Sequence, residues 1–226
     1  MPATGQAAPR LGVIMLNTAF PRPPGDIGNP ETFAGRALYE VVEAATAARL
    51  LDDGGAPDLL DDFLAARDRL VARGAGIVTT SCGILVLHQA ALAQGCPVPV
   101  LTSALLAIPR VEAATGGRVG VLAMDSRSIT AAHLAAAGAR PDTPVVGLEN
   151  GSEIYPTLRR NDPADRLDPA RAGADVVAAG QELLRIAPDI RAIVLECTNL
   201  PPYSAALARA TGLPVHDILT LLAGHI

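Results

Sequence analysis

Short apolar runs alternate along the chain with longer segments in which apolar residues recur every three or four positions. The short runs have the length of buried strands, and the longer segments have the period of amphipathic helices. The runs predict strands at residues 11–16, 39–44, 76–80, 98–101, 118–124, 144–148, 192–196 and 214–217. The periodic segments predict helices at residues 57–73, 84–94, 129–137, 170–186 and 204–210. This alternation indicates an α/β fold in which helices cover a mostly parallel sheet.

The second half of the chain repeats the first. The segment "IVTTSCGILVLHQAALAQGCPV" from Ile77 corresponds to "AIVLECTNLPPYSAALARATGLPV" from Ala192, with Cys82 and Cys197 separated by 115 positions. Earlier in each half, "RLGVIML" corresponds to "RVGVLAM" at an offset of 108. The repeat predicts two pseudo-symmetric, doubly wound parallel-sheet lobes with the active site between them. We expect residues 1–103 and 104–199 to form the lobes, and segment 200–226 to complete either the second lobe or the first.

The two cysteines of the repeat are the candidate catalytic residues. Ligands of open parallel sheets bind beyond the carboxyl ends of the strands, and Cys82 and Cys197 each follow a predicted strand. Each also precedes a predicted helix start, where the thiolate is favoured. If the lobes face each other, the two thiols meet at one cleft, and inversion of a carbon acid requires two opposed proton carriers. Cys96 corresponds to Thr211 in the second half, and we interpret it as a small apolar residue.

Composition excludes several classes of protein. All 18 cationic residues are arginine, which excludes enzymes that hold pyridoxal phosphate on a lysine and nucleotide-binding loops that require one. The net charge of −5 and the absence of a basic run argue against nucleic-acid binding. No apolar stretch approaches 18 residues, so no membrane span is expected. We expect no cofactor and no metal, because the cysteines and histidines lack metal-ligand spacing.

The same features predict where the protein is found. Three cysteines, an odd number, argue against a secreted disulfide framework and favour the reducing cytoplasm. The start, "MPATGQAAPR", lacks an apolar core and is interpreted as a short disordered lead and not as a signal peptide.

The motifs "TTSCG" and "LECTNLPPY", together with the duplicated halves, resemble the aspartate/glutamate racemase superfamily, whose relatives include hydantoin racemases, maleate isomerases and arylmalonate decarboxylases. The resemblance covers nearly the whole chain from Arg10 and is strongest at "ECTN". Two positions differ from the amino-acid racemases. Gly83 and Ile84 replace an Asn-Thr pair, and Asn17-Thr18 replaces the Asp-Ser pair of glutamate racemases.

The resemblance implies a cofactor-independent enzyme that holds a substrate carboxylate between its lobes. One thiolate, of Cys82 or Cys197, would remove the proton alpha to the carboxylate, and the opposite thiol would deliver one to the other face. Backbone amides and hydroxyls would hold the carboxylate and the developing enediolate, at Thr80, Ser81, Gly83, Thr198 and Asn199. Asn17 and Ser126 are expected on the same rim of the site.

The segment "NTAFPRPPGDIGNPETF" is too rich in proline and glycine for regular structure, and we predict a lid or specificity loop there. Arg22, on this loop, is a candidate clamp for a second carboxylate, and an exposed, solubilising role is equally open.

Three functions fit these observations. The favoured one is racemisation or epimerisation of an amino acid or related small carboxylate. The second is decarboxylation or cis-trans isomerisation of a small dicarboxylate, with one cysteine as proton donor or as covalent nucleophile. The third is a non-catalytic two-lobe module that binds a small molecule. We expect a small carboxylate as the partner, no nucleic acid or membrane, and a homo-oligomer.

Overall fold

Two parallel sheets form the framework of the protein. The computed structural model describes residues 10–52 and 55–225, so most of the predicted N-terminal lead lies outside the described residues. The strands are β1 Arg10–Leu16, β2 Leu38–Val42, β3 Ala75–Thr80, β4 Val100–Leu101, β5 Arg118–Ala123, β6 Val145–Gly147, β7 Ile190–Leu195 and β8 Val215–His216. They form two four-stranded sheets with the orders β2-β1-β3-β4 and β6-β5-β7-β8. Each of the predicted strands is present, and the α/β fold of two parallel-sheet lobes is confirmed.

Helices cover the faces of both sheets. They are α1 Ala47–Asp52, α2 Leu60–Ala72, α3 Gln89–Ala93, α4 Ile108–Thr115, α5 Ala131–Ala136, α6 Ile154–Arg160, α7 Pro169–Ile186, α8 Ser204–Thr211 and α9 Ile218–Leu222. The predicted helices are present, although two of them begin with 3-10 turns at Pro57–Leu59 and Gly83–His88. Helices α1, α4 and α6 were not predicted, because each has at most eight residues and shows little more than two turns of periodicity.

Local sequence explains where the longest helix starts. Asp168 is the N-cap of α7, and its carboxylate accepts the backbone N–H of Ala170 at 2.9 Å. Pro169 occupies the first helical position, where its missing N–H costs nothing. The helix buries Val176 and Leu183, one side of its periodic pattern, against the second sheet.

The two sheets share the same irregularity as well as the same strand order. The pairing of β1 with β3 shifts register between Arg10 and Leu11, and the pairing of β5 with β7 shifts between Arg118 and Val119. Strand β8 pairs with β7, which places the last strand of the chain in the second sheet. Helix α9 follows it and packs on the 3-10 turn at Ala104–Ala107 between the two halves.

One apolar core joins the lobes. It contains Val13 and Ile77 of the first sheet, Val119 and Val194 of the second, and Ile218 of α9. Burying one such side chain contributes about 1.5–3 kcal/mol, so a core built from both sheets holds the lobes in a fixed arrangement. The carboxyl ends of the central strands β1, β3, β5 and β7 are thereby held around one cleft.

Candidate active site

A cavity of about 70 Å³ opens at the carboxyl ends of the strands, and both lobes contribute to its wall. Cys82 and Cys197 both line it, as the repeat predicts. Four of the predicted binding residues also line it, namely Arg22, Ser81, Gly83 and Asn199. Much of the remaining wall is apolar and comes from Leu16, Phe20, Leu51, Ile84, Met124 and Leu158.

The two thiols have equivalent backbone surroundings. Cys82 follows β3 and accepts the backbone N–H of Ile84, and Cys197 lies two residues beyond β7 and accepts that of Asn199. In each case the donor lies two positions after the cysteine, so the chain repeat extends to the hydrogen bonds of the sulfurs. Such bonds favour the thiolate.

The prediction that both thiols ionise readily is wrong, because the surroundings of the two sulfurs favour the neutral thiol. Burial, followed by the nearby Glu196 carboxyl, raises the pKa of the Cys82 thiol to about 12. The same two causes raise the pKa of Cys197 well above its ordinary value. The backbone N–H bonds act in the opposite direction but are outweighed, because desolvation penalises the charged form of a buried thiol. A positive charge close to either sulfur would act against this desolvation and favour the thiolate.

A chain of polar contacts leads from Cys197 to the loop of the first lobe. The Cys197 thiol donates to Asn199 Oδ1 at 3.4 Å, and Asn199 Nδ2 donates to Asp26 Oδ2 at 2.8 Å. Asp26 is 1% exposed, and its other oxygen accepts from Arg22 Nη1 at 2.8 Å. The loop therefore reaches across the cleft and positions the Asn199 side chain, which accepts the hydrogen bond from the Cys197 thiol.

Arg22 is held in the wall of the cavity. Its Nη2 donates to Thr18 Oγ1 at 2.6 Å, and its guanidinium carbon lies 4.2 Å from the centre of the Phe20 ring. Its side chain is 11% exposed, which overturns the alternative of an exposed, solubilising residue. Arginine has five N–H donors, so the bonds to Asp26 and Thr18 leave others for a ligand carboxylate.

The other four predicted binding residues do not line the cavity, and their polar groups are bonded to neighbouring groups. Asn17 Nδ2 donates to the Glu43 carbonyl at 3.0 Å, and Thr80 Oγ1 lies 2.7 Å from the Thr102 carbonyl oxygen. The Ser126 hydroxyl donates to Glu149 Oε1 at 2.5 Å. Thr198 Oγ1 donates to the Ser81 carbonyl at 2.6 Å and so links the two lobes directly beside the thiols.

Sequence reasoning missed the role of Glu196, which directly precedes Cys197 in the motif "LECTNLPPY". Glu196 is the only carboxylate residue in the wall that the described residues form, and it is 3% exposed. Burial raises the pKa of its carboxyl group to about 8. A Cβ atom at Gly83 would collide with the Glu196 carbonyl oxygen and lie 2.5 Å from Oε1, so a side chain at position 83 would displace this acid. Arg159 of α6 was also missed; it is exposed and lines the same cavity.

The donor set does not indicate a metal site. Within residues 10–52 and 55–225, no three or more histidine, cysteine or acidic side chains are grouped closely enough to hold a metal ion. The cysteines at positions 82, 96 and 197 are free thiols. Over the same ranges, none of the helices has both the length and the apolar character needed to cross a membrane.

Two parallel-sheet lobes with a shared core and a cavity at their common carboxyl edge define a two-lobed α/β class of protein. Within that class, the chain belongs to the Asp/Glu/Hydantoin racemase family, whose model matches residues 90–226. The resemblance inferred from the cysteine motifs is thereby confirmed, and the chain is placed in a superfamily of enzymes.

Similar proteins include lyases and racemases. A dimethylsulfoniopropionate lyase of Durusdinium sp. clade D is 29% identical over 92% of this chain and 71% of its own length. Dimethylsulfoniopropionate lyase 3 of Emiliania huxleyi is 33% identical over 94% of this chain, which spans 57% of that protein. Among solved structures, allantoin racemase from Pseudomonas fluorescens superposes with a TM-score of 0.59 at 19% identity, over 95% of this chain and 88% of that one. This last similarity bears on the fold alone.

Proposed function

We propose that the chain is a cofactor-independent enzyme that removes the proton alpha to the carboxylate of a small substrate with a cysteine, and that it cleaves a β-sulfonio carboxylate such as dimethylsulfoniopropionate. The observation that supports this most is the cavity itself, in which two free thiols and Arg22 face apolar walls. The lyase names of the relatives favour elimination over racemisation.

The proposed reaction is a β-elimination. A cysteine thiolate takes the proton from C2, the electron pair of that C–H bond forms the C2=C3 double bond, and the C3–S bond breaks. The products are acrylate and dimethyl sulfide, and the thiol returns its proton to solvent before the next turnover. Arg22 stabilises the carboxylate as negative charge moves onto it. The cationic sulfonium also lowers the pKa of a nearby thiol, which offsets the desolvation that favours the neutral form of both thiols.

The apolar side chains of the cavity wall favour a sulfonium group over an amino group on the substrate. A protonated amine carries three N–H donors, and the wall that the described residues form offers a single carboxyl group, that of Glu196, to accept from them, so part of the donor capacity would be buried unpaired. A dimethylsulfonio group has no N–H donor, and its methyl groups pack against apolar side chains such as Phe20, Met124 and Leu158. The Asn17-Thr18 pair, which stands where glutamate racemases have Asp-Ser, adds no carboxylate to this wall.

Racemisation of a small carboxylate is the second candidate. It is supported by the equivalent settings of Cys82 and Cys197, since each sulfur accepts the backbone N–H two positions ahead. A racemase requires two proton carriers of comparable strength on opposite faces of the substrate, whereas an elimination requires one base.

The test combines two assays on the purified protein. Dimethyl sulfide is measured by headspace gas chromatography from dimethylsulfoniopropionate, and deuterium at the alpha carbon is measured by NMR for a panel of amino acids, hydantoins and dicarboxylates in D₂O. Both are repeated with Cys82→Ala, Cys197→Ala and, as a control, Cys96→Ala. Elimination predicts dimethyl sulfide release that falls about 10²–10⁴-fold in the variant lacking the base, with Cys96→Ala near the wild type.

The outcomes separate the candidates. Unchanged dimethyl sulfide release in both Cys82→Ala and Cys197→Ala would contradict a cysteine base. Release of no dimethyl sulfide, together with opposite enantiomer preferences of the two variants in deuterium exchange, would establish the two-base racemase instead.

A further inference from the structure

We propose that Glu196 binds the positive charge of the substrate, so that the cavity selects small carboxylates that also carry a sulfonium or quaternary ammonium group. The inference rests on the proposed function, because it assigns the second charged group of the same ligand. Arg22 would hold the carboxylate end and Glu196 the cationic end of one zwitterion.

The described part of the cavity wall contains two positively charged side chains and one acid. Among the described residues that line the cavity, Arg22 and Arg159 are cationic and Glu196 alone carries a carboxyl group. Asp26 stands behind the wall, and its oxygens accept from Arg22 and Asn199. Glu196 is therefore the one acidic group that a ligand in the cavity can meet.

The Glu196 carboxyl group lacks the partners that buried acids ordinarily have. Within the described part of the chain, no side chain or backbone N–H donates to its oxygens, and burial is the one cause that acts on its pKa. The carboxyl group lines the cavity, where a ligand can reach it. A ligand cation supplies the missing partner, and one without N–H donors needs only the negative charge.

Gly83 keeps the space for this acid open. Its missing side chain leaves room for the Glu196 carbonyl and carboxyl oxygens, which a Cβ at position 83 would meet. At the equivalent position of the repeat, 115 residues later, stands Thr198, whose side chain is bonded to Ser81. The glycine thus occurs only in the first half of the repeat and the acid only in the second, where Ser81 is the counterpart of Glu196, and the two residues meet at the cavity.

The protonation state of Glu196 determines whether the affinity for a cationic ligand rises or falls with pH. The ionisable groups that face it are Cys82 after β3, Cys197 on its own segment, Arg22 on the loop and Arg159 on α6. Both thiols have raised pKa values and the guanidinium groups stay charged, so Glu196 is the group that ionises near pH 8. A ligand cation binds the ionised form better, so its affinity should rise with pH up to about 8 and level off above it.

The test uses two ligands of the same shape and different charge. Binding of 3-(trimethylammonio)propanoate and of its uncharged isostere 4,4-dimethylpentanoate is measured by calorimetry between pH 6 and pH 9. For the wild type, the affinity of the cationic ligand should rise by up to about tenfold per pH unit below pH 8, while that of the isostere should not rise. Glu196→Gln should remove the rise and weaken the cationic ligand at least about tenfold at pH 9. It should leave the isostere bound, which also shows that the variant is folded.

Glu182→Gln, an exposed glutamate paired with Arg185 on α7, is the matched control and should behave as the wild type. A pH-independent affinity of the wild type for the cationic ligand, failure of the wild type to bind it, or an unchanged preference in Glu196→Gln would each overturn the inference. If the cationic ligand binds as described but dimethylsulfoniopropionate is not cleaved, the proposed function fails and the cation site stands.

Discussion

Replacing Glu196 with Gln should make the ligand-free protein more stable at alkaline pH. The carboxyl group has an ordinary pKa of 4.5 and one of about 8 in the folded protein. The folded state therefore binds the proton more tightly than the unfolded state. The stability that this contributes is complete below about pH 4.5 and is lost as the pH rises through about 8. Glutamine has the same shape and no proton to lose, so its contribution does not change with pH.

The size of this stability difference follows from the two pKa values of Glu196, in the folded and in the unfolded protein. Their difference of about 3.5, at about 1.4 kcal/mol for each unit of pKa, corresponds to roughly 5 kcal/mol. The free energy of unfolding of Glu196→Gln, minus that of the wild type, should therefore grow by roughly 4 kcal/mol between pH 5 and pH 9, since part of the change falls below pH 5. The expected slope is at most about 1.4 kcal/mol per pH unit. This is a large part of the 5–15 kcal/mol that typically stabilises a folded protein.

Urea unfolding at pH 5, 6, 7, 8 and 9, followed by circular dichroism, measures this difference directly. All other ionisable groups are common to both proteins; Glu196 also raises the pKa values of the two thiols, but burial is the larger cause there and keeps them protonated over this pH range. Glu182→Gln is again the control. The Arg185 guanidinium holds the pKa of Glu182 below its usual value, so the free-energy difference of this variant should be flat above pH 5. A constant difference for Glu196→Gln would refute the argument, because it would mean that Glu196 ionises at its ordinary pH in the folded protein.

Three further substitutions test the surroundings of the cavity. Gly83→Ala places a Cβ against Glu196, so it should destabilise the protein by about 1–3 kcal/mol in urea unfolding, and an unchanged midpoint would contradict the close packing. Asp26→Asn removes the charge that holds Arg22, so kcat/KM for the substrate should fall at least about tenfold; wild-type kinetics would show that the pair does not position the arginine. Thr198→Val removes a hydrogen bond between the lobes and leaves a buried carbonyl unpaired, so unfolding in urea should show a loss of about 1–3 kcal/mol, and a loss below about 0.5 kcal/mol would contradict its role.

The amino-acid sequence predicted the strands and the repeat well, because both depend on short-range patterns. Buried parallel strands are compact apolar runs, and the constant offset between Cys82 and Cys197 placed both thiols at equivalent strand ends. From that placement alone, the two thiols were expected at one cleft, and both line the cavity.

Contacts between distant residues could not be predicted in the same way. Asp26 stands in a loop rich in glycine and proline, and no local pattern shows that it meets Asn199, 173 positions away. Asn17 and Ser126 were correctly placed near strand ends, but the direction of a side chain depends on neighbours such as Glu43 and Glu149. The raised pKa of Cys82 likewise depends on burial, which the helix-start argument did not include.

The register shift that recurs at the start of both central strand pairs bears on the history of the chain. An irregularity shared by Arg10–Leu11 and Arg118–Val119 is most simply inherited from one ancestral unit that was duplicated and fused. Two copies of that unit would have formed a symmetric dimer, with identical thiols and identical walls on both sides of a ligand. After the fusion, the two copies could acquire different residues at equivalent positions. The equivalent segments now differ, with "SCGI" in the first half and "ECTN" in the second, so only the second half has an acid at this position. A ligand that could once bind in two equivalent directions now meets a cavity with a defined head and tail.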